Sequence, residues 1–195
     1  MTLSLSTARP VVRSAVAVLT FCFSLLAAFP LTVRAQAPST AGADTARARL
    51  APLTWLVGEW SGPATVTSGG RTFTLTQRET VEAAANGTVL MIRGSGSMKD
   101  ASAVEREVFQ AAGMLTYDVG TGRFTWVSSG GSGYLGITEA SVSGTSFVWR
   151  LADRGNVRSR FTITKTPEGA WYELGEESTD GVVWTRTIEM RLTKR

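Results

Sequence analysis

The chain has 195 residues, no histidine and a single cysteine, Cys22. Three of its 20 basic side chains and none of its 16 acidic ones lie in residues 1–35, so 17 basic side chains remain beyond them. This balance argues against nucleic-acid binding, which needs a basic patch. The missing histidine, with the only cysteine in an apolar N-terminal run, excludes imidazole and thiolate metal sites, Ser-His-Asp triads and Cys-His pairs. We predict no metal site and no cofactor.

The N-terminal segment has the features of a signal peptide. Arg9 and Arg13 precede an apolar run from Ala15 to Phe29, and small residues end the segment at Ala35. The run is shorter than the about 20 apolar residues that span a bilayer. We predict a signal peptide over residues 1–35, export to the periplasm or the medium, and no stable membrane insertion after cleavage.

Two short segments follow this predicted signal peptide. Residues 36–46 are rich in Ala, Ser, Thr, Pro and Gly, a composition typical of a flexible linker. Residues 47–57 carry Leu50, Leu53 and Leu56 at a spacing that suits a short helical turn plugging one end of a domain. Pro52 limits that helix to a turn or two. We predict one domain over residues 47–195.

From Glu59 onward the sequence alternates between apolar and polar residues and is interrupted by glycine clusters, as in strands joined by tight turns. Short loops favour antiparallel neighbours, and a long meander removes its free edges by closing. The fold class we predict is all-β, an antiparallel up-and-down barrel of about ten strands with a short N-terminal helical turn. The strands are predicted over residues 59–67, 71–82, 88–97, 103–118, 122–128, 133–141, 145–151, 156–165, 170–178 and 182–193.

Alternation along these strands predicts which side chains face inward. In the last strand the apolar face consists of Val182, Trp184, Ile188, Met190 and Leu192, and Arg186 falls among them. In the second strand Phe73 shares its face with Gln77 and Glu79. Glu173 and Glu177 share a face with Trp171, which we interpret as a partly solvated surface.

An inward arginine among apolar side chains needs a partner. Arg186 could form an internal ion pair with Glu79, with Gln77 completing the hydrogen bonds. Alternatively, its planar guanidinium could anchor the acidic group of a ligand. Arg186 could also play both roles, if the ion pair opens to admit the ligand. A β-bulge in the last strand would instead turn Arg186 outward, and neither role would then apply.

The tryptophans allow two interpretations, as core side chains or as the lining of a cavity. Trp60, at the start of the first strand, is expected to close one barrel end. The candidate ligand-binding residues are Arg186, Glu79, Gln77, Trp184, Trp126 and Phe73.

Several segments together resemble a known group of proteins. Leu53–Gly62 (LTWLVGEWSG) resembles the opening of calycin-type barrels, in which an apolar turn leads into a Gly-x-Trp first strand. Phe109, the segments LTYD from Leu115 and GRF from Gly122, and IEMRL from Ile188 follow in order. Over residues 50–193 this set is most similar to a bacterial family of lipocalin-like barrels of unknown function that are often exported. The resemblance implies a fold rather than an activity.

Related barrels imply different roles for individual residues. Nitrobindin-type barrels, to which the similarity is distant, bind haem through a histidine that this chain lacks. Fatty-acid-binding barrels hold a carboxylate with an inward arginine on the last strand; Arg186 matches it, but Ile188 replaces the usual tyrosine. In lipocalins a late arginine packs on the first-strand tryptophan, which implies a contact between Arg191 and Trp60.

We therefore predict an exported barrel, not an enzyme, that binds a small apolar or amphipathic ligand such as a lipid or small organic acid. One alternative is a solid barrel that binds a protein or envelope component through the loop at 129–133 and the edge at 154–160. Another is an enzyme that uses inward carboxylates such as Glu79.

Overall fold

The computed structural model describes residues 40–131, 133 and 135–195. The predicted signal peptide and the first four residues of the predicted linker lie outside this described part. Within it, no helix is both long enough and apolar enough to cross a membrane.

The described chain consists of two helical segments followed by ten strands. Helix α1 spans Thr40–Leu50, a 3-10 helix spans Ala51–Leu56, and one 3-10 turn at Ala85–Gly87 joins the second and third strands. The strands are β1 Gly58–Ser68, β2 Arg71–Ala84, β3 Val89–Lys99, β4 Glu105–Asp118, β5 Arg123–Gly130, β6 Leu135–Ser143, β7 Ser146–Trp149, β8 Arg158–Lys165, β9 Trp171–Ser178 and β10 Thr185–Lys194. The predicted fold class is confirmed.

The ten strands form one closed antiparallel barrel in which each strand pairs with its neighbours in sequence. β1 closes the ring by pairing with β10, with Ala64 opposite Met190. This is the topology of an up-and-down β-barrel. We call the end at which β1 begins and β10 ends the closed end. The opposite end carries the hairpins β1–β2, β3–β4, β5–β6, β7–β8 and β9–β10, and we call it the open end.

Helix α1 begins inside the segment that we predicted to be a linker. The linker prediction is therefore wrong for residues 40–46, which are alanine-rich and favour a helix. Ala46 and Leu50 are buried, and Leu53 and Leu56 of the 3-10 helix are fully buried. This tertiary burial stabilises a helix that would be marginal as an isolated peptide.

Three tryptophans fill the closed end. Trp55, Trp60 and Trp171 pack edge to face, with ring centroids 5.7 to 6.4 Å apart. Trp60 is buried, and its indole N–H donates to the Leu56 carbonyl at 2.6 Å. The helical segments and the barrel wall thus pack together here, and the indole N–H groups of all three tryptophans are hydrogen-bonded.

The contact implied between Arg191 and Trp60 is wrong. Arg191 faces outward and pairs with Glu168 at 2.9 Å. Lys194 lies against Trp60 instead, with its ammonium 5.3 Å from the ring centroid. Strand alternation explains the difference, since residue 194 shares the inward parity of Leu192 and residue 191 does not.

Inward glycines let large side chains fill the middle of the barrel. A Cβ atom built at Gly113 would lie 2.1 Å from the Trp126 ring, and one at Gly175 would lie 2.1 Å from Ile188. At Gly94 it would lie 2.6 Å from the Glu79 carboxylate. The missing Cβ atoms therefore make the space that these three side chains occupy.

Candidate functional site

An apolar cavity lies at the open end of the barrel. Its volume is about 320 Å³, and its lining comes from β1, β2, β3, β4 and β10. Its apolar walls include Val66, Phe73, Leu75, Met98, Phe109 and Ile188, and its polar side chains are Ser68 and Gln77. A cavity with mostly apolar walls and few polar groups is typical of small-molecule sites.

Local features of two strands shape this cavity. Strand β4 has a register shift opposite Gly96 and Ser97, where Phe109 and Glu107 are the partners and Val108 is the extra residue. Val108 and Phe109 both contribute to the cavity wall. Gly96 leaves room beside Leu75 and Gln77, since a Cβ atom there would lie 3.1 Å from an atom of each. The bulge and the glycine together keep this end of the barrel open.

Gln77 connects the cavity to the barrel interior. Its amide nitrogen donates to Glu79 Oε1 at 2.7 Å, and both side chains are buried. The Gln77 carbonyl oxygen accepts no hydrogen bond from any described side chain. Burial raises the pKa of Glu79 to about 7, while the hydrogen bond from Gln77 opposes this rise.

Glu173 is a second carboxyl group in the interior. It is buried and accepts a hydrogen bond from the Trp171 indole at 3.1 Å. Burial, together with the charge of Glu79, raises its pKa to about 8. Our interpretation of Glu173 as partly solvated is wrong. Alternation correctly put it on the same face as Trp171, and closure of the barrel buries that face.

Three further buried polar atoms make no hydrogen bond within the described chain. They are the indole nitrogens of Trp126 and Trp149 and the hydroxyl of Ser128. The Trp149 indole falls outside hydrogen-bond geometry, but it lies close enough to Glu173 to oppose the rise in the pKa of that carboxyl. No lysine or arginine is buried among the described residues. No three acidic side chains of the described residues lie close enough together to hold a metal ion. The described interior thus contains neutral hydrogen-bonding groups and two carboxyls, with no buried cation beside them.

The structure places Arg186 on the outer surface, so the predicted ion pair with Glu79 is wrong. Its guanidinium pairs with Glu189 at 2.5 Å, and its side chain is largely exposed. The reason is a β-bulge: Arg186 lies opposite Glu176 and Ile188 lies opposite Gly175, which leaves Thr187 as the extra residue. Thr185 and Arg186, the two residues of β10 before Thr187, therefore face the sides opposite to those that simple alternation predicts.

Trp184 also lies outside the predicted site. Residues 182–184 lie before β10, and Trp184 packs on Arg160, with the guanidinium 4.0 Å from the ring centroid. Arg160 also pairs with Glu176 at 2.7 Å. The predicted inward orientation of Trp184 is wrong, because it belongs to an outer cation–π contact.

The remaining predicted ligand residues lie inside the barrel but at different depths. Phe73 and Gln77 line the cavity. Glu79 lies behind Gln77, and Trp126 is buried in the core, 5.5 Å from Phe147 and 4.9 Å from Trp149 between ring centroids. The structure thus brings together Phe73, Gln77 and Glu79 and leaves Trp126 as core. Alternation missed Met98 and Phe109 as lining residues.

The cations of the predicted interaction edge are already paired. Arg154 lies 3.2 Å from Glu177, and Arg158 lies 4.0 Å from Asp153. Because these pairs neutralise the edge, it does not form a concentrated basic surface.

Comparisons with known proteins identify the fold. Neither a protein-family model nor a curated protein matches the chain. The crystal structure of Rv2717c from M. tuberculosis is similar, with a TM-score of 0.51 and 15% identity over 77% of this chain and 97% of Rv2717c. Lobster apocrustacyanin A1 has a TM-score of 0.31 and 10% identity over 78% of this chain and 67% of that one. The likeness to Rv2717c concerns the fold alone.

Proposed function

We propose that this barrel binds a small apolar or amphipathic molecule in the cavity at its open end. The observation that carries the proposal is the apolar lining of about 320 Å³ with Gln77 at its inner wall. The amide nitrogen of Gln77 donates a hydrogen bond to Glu79, and its carbonyl oxygen can accept a hydrogen bond from a ligand. The site therefore favours a ligand with an apolar body and one hydrogen-bond donor, such as an alcohol, an amide or a protonated acid.

The position of Arg186 narrows the ligand class. An ionised organic acid inside the cavity would need a cation, and the arginine that we expected there points outward. A neutral amphipathic lipid suits the lining better, because its apolar part would contact side chains such as Leu75 and Ile188. We also predict that the protein is not an enzyme, a prediction supported by its residue composition. We predict that it is exported, a prediction supported by the sequence of residues 1–35.

Filling the cavity tests the proposal. We expect Met98→Trp to weaken binding of a neutral fluorescent probe such as Nile red by about tenfold or more, because the indole would occupy space that the probe needs. The measurement is a fluorescence titration at constant protein concentration, with thermal unfolding recorded for each variant.

Met91→Trp is the matched control. Met91 lies on the same strand between the buried residues Leu90 and Ile92, so it faces outward. We expect the control to bind the probe like the original protein. Equal affinities of the original protein and Met98→Trp, with both folded, would show that the cavity is not the binding site.

A further inference from the structure

Exposed apolar side chains gather at one end of the barrel. Nine large apolar side chains are exposed in the described part of the chain, and eight of them lie on hairpins or strand ends of the open end. These eight are Phe73, Val104, Val108, Phe109, Leu135, Ile137, Val182 and Val183. The ninth, Val119, lies in the β4–β5 turn at the closed end. Exposed apolar side chains concentrated at one end of a molecule are a candidate interaction surface.

The β9–β10 hairpin presents two of these side chains in an ordered loop. Val182 and Val183 are 81% and 68% exposed. The Asp180 carboxylate accepts the backbone N–H groups of both valines, at 2.8 and 2.9 Å, and also the Ser178 hydroxyl at 2.9 Å. The loop therefore exposes two apolar side chains whose own backbone N–H groups are hydrogen-bonded.

The β3–β4 hairpin is built in the same way. The Asp100 carboxylate accepts the backbone N–H groups of Ser102 at 2.8 Å and Val104 at 3.1 Å. Val104 is half exposed at this tip. Backbone groups that enter an apolar medium must be hydrogen-bonded internally, because each unpaired one costs free energy. At both tips an aspartate carboxylate meets this requirement for the N–H groups of the exposed valines.

The composition of the tips favours a lipid surface over a protein partner. Energetically dominant residues of protein interfaces are enriched in Trp, Tyr and Arg, whereas these side chains are aliphatic or phenylalanine. They also belong to strands spread around the ring, from β2 and β4 to β6 and the β9–β10 hairpin. A fluid, planar surface can contact all of them together.

Charge does not add to this attraction. The loops of the open end and the strand residues that border them carry five basic and four acidic side chains, namely Arg71, Lys99, Arg150, Arg154 and Arg158 against Asp100, Glu105, Asp153 and Asp180. A surface with this balance has no electrostatic preference for anionic lipids. The apolar contacts alone must then account for binding.

We propose that the open end docks on the surface of a phospholipid bilayer, with Val104, Val182 and Val183 inserted at the boundary between headgroups and acyl chains. Amphipathic segments bind at this depth, about 5–10 Å into the interface. The cavity would then face the bilayer, although docking itself requires no ligand in the cavity.

Vesicle flotation tests this proposal with residues 37–195, whose described part forms one compact unit with a closed barrel. Removing residues 1–36 also removes their apolar run as a separate cause of binding. We expect flotation with phosphatidylcholine vesicles, equal flotation when phosphatidylglycerol is included, and little change with salt. Val182→Asp should weaken partitioning about tenfold, and adding Val183→Asp should weaken it further, because the inserted area is lost.

Val119→Asp is the matched control, since it makes the same change at an exposed valine of the closed end. It should float like the original protein. The proposal would be overturned if Val119→Asp and Val182→Asp weakened flotation equally. It would also be overturned if binding required phosphatidylglycerol and disappeared in salt. Absence of flotation would also overturn it. If the protein does not float and Val182→Asp lowers the mass of an oligomer, the surface binds a protein partner instead. Nile red binding in solution should be unchanged in Val182→Asp, which separates this test from that of the cavity.

Discussion

Glu79 and Glu173 show how two residues can couple the stability of a barrel to pH. Both carboxyl groups are buried, so their neutral forms are favoured in the folded state, with pKa values of about 7 and about 8. In the unfolded chain the pKa of each returns to its ordinary value near 4.5. Between these values the folded protein binds more protons than the unfolded chain, so the free energy of unfolding falls as pH rises through this window.

We therefore expect thermal unfolding at a higher temperature near pH 5 than above pH 8. The difference in the free energy of unfolding should be on the order of a few kcal/mol, since each unit of pKa shift corresponds to about 1.4 kcal/mol. Calorimetry across this range measures it. Combining Glu79→Gln with Glu173→Gln should flatten the dependence, because neither amide titrates.

Glu82→Gln provides the control for this prediction. Glu82 is exposed on the same strand as Glu79 and pairs with Arg93 at 2.9 Å. Its substitution should leave the pH dependence in place. A double variant that retains the full dependence would show that other groups cause it.

At the scale of the element, the bulge of β10 decides which residues reach the interior. Ile188 faces the cavity while Arg186 faces solvent, and Thr187 between them has no cross-strand partner. Deleting Thr187 would make Arg186 and Ile188 consecutive, and alternation would keep each on its present side. We expect this deletion to lower the unfolding temperature only slightly.

Deleting Arg191 tests the same principle with the opposite outcome. Met190 and Leu192 are both buried, and the deletion would place them on opposite faces of the strand. We expect a large loss of stability by thermal unfolding. If the Thr187 deletion were as damaging as the Arg191 deletion, the bulge would itself be needed for barrel closure.

At the scale of the whole molecule, closure by β10 removes every free strand edge from the barrel. β10 pairs with both β1 and β9, so its loss would expose two edges and the core beside Met190 and Leu192. Exposed edges with apolar surface promote aggregation. We expect a chain that ends at Asp180 to be insoluble, as measured by light scattering and the soluble fraction.

A peptide of residues 181–195, added during refolding, should restore solubility by supplying the missing strand. The same peptide with Met190→Asp and Leu192→Asp should not, because its inward face would place charges in the core. Equal rescue by both peptides would show that backbone pairing alone prevents aggregation.

The sequence by itself determined the all-β class, the ten strands and their antiparallel order. These follow from alternation and turn residues, which are local features, and strands joined by short loops must pair in sequence. The sequence also excluded histidine-based chemistry. It correctly grouped Phe73 with Gln77 and Glu79, because β2 is regular over these residues.

Only the tertiary structure decided the outward position of Arg186 and Trp184, the burial of Glu173 and the apolar open end. One bulged residue reversed the parity before Ile188, and nothing local at Thr187 marks it. The burial of Glu173 and the contact between Lys194 and Trp60 depend on ring closure between β1 and β10. The open end arises because hairpins far apart in sequence meet at one side of the closed barrel, and alternation within a strand carries no information about such long-range positions.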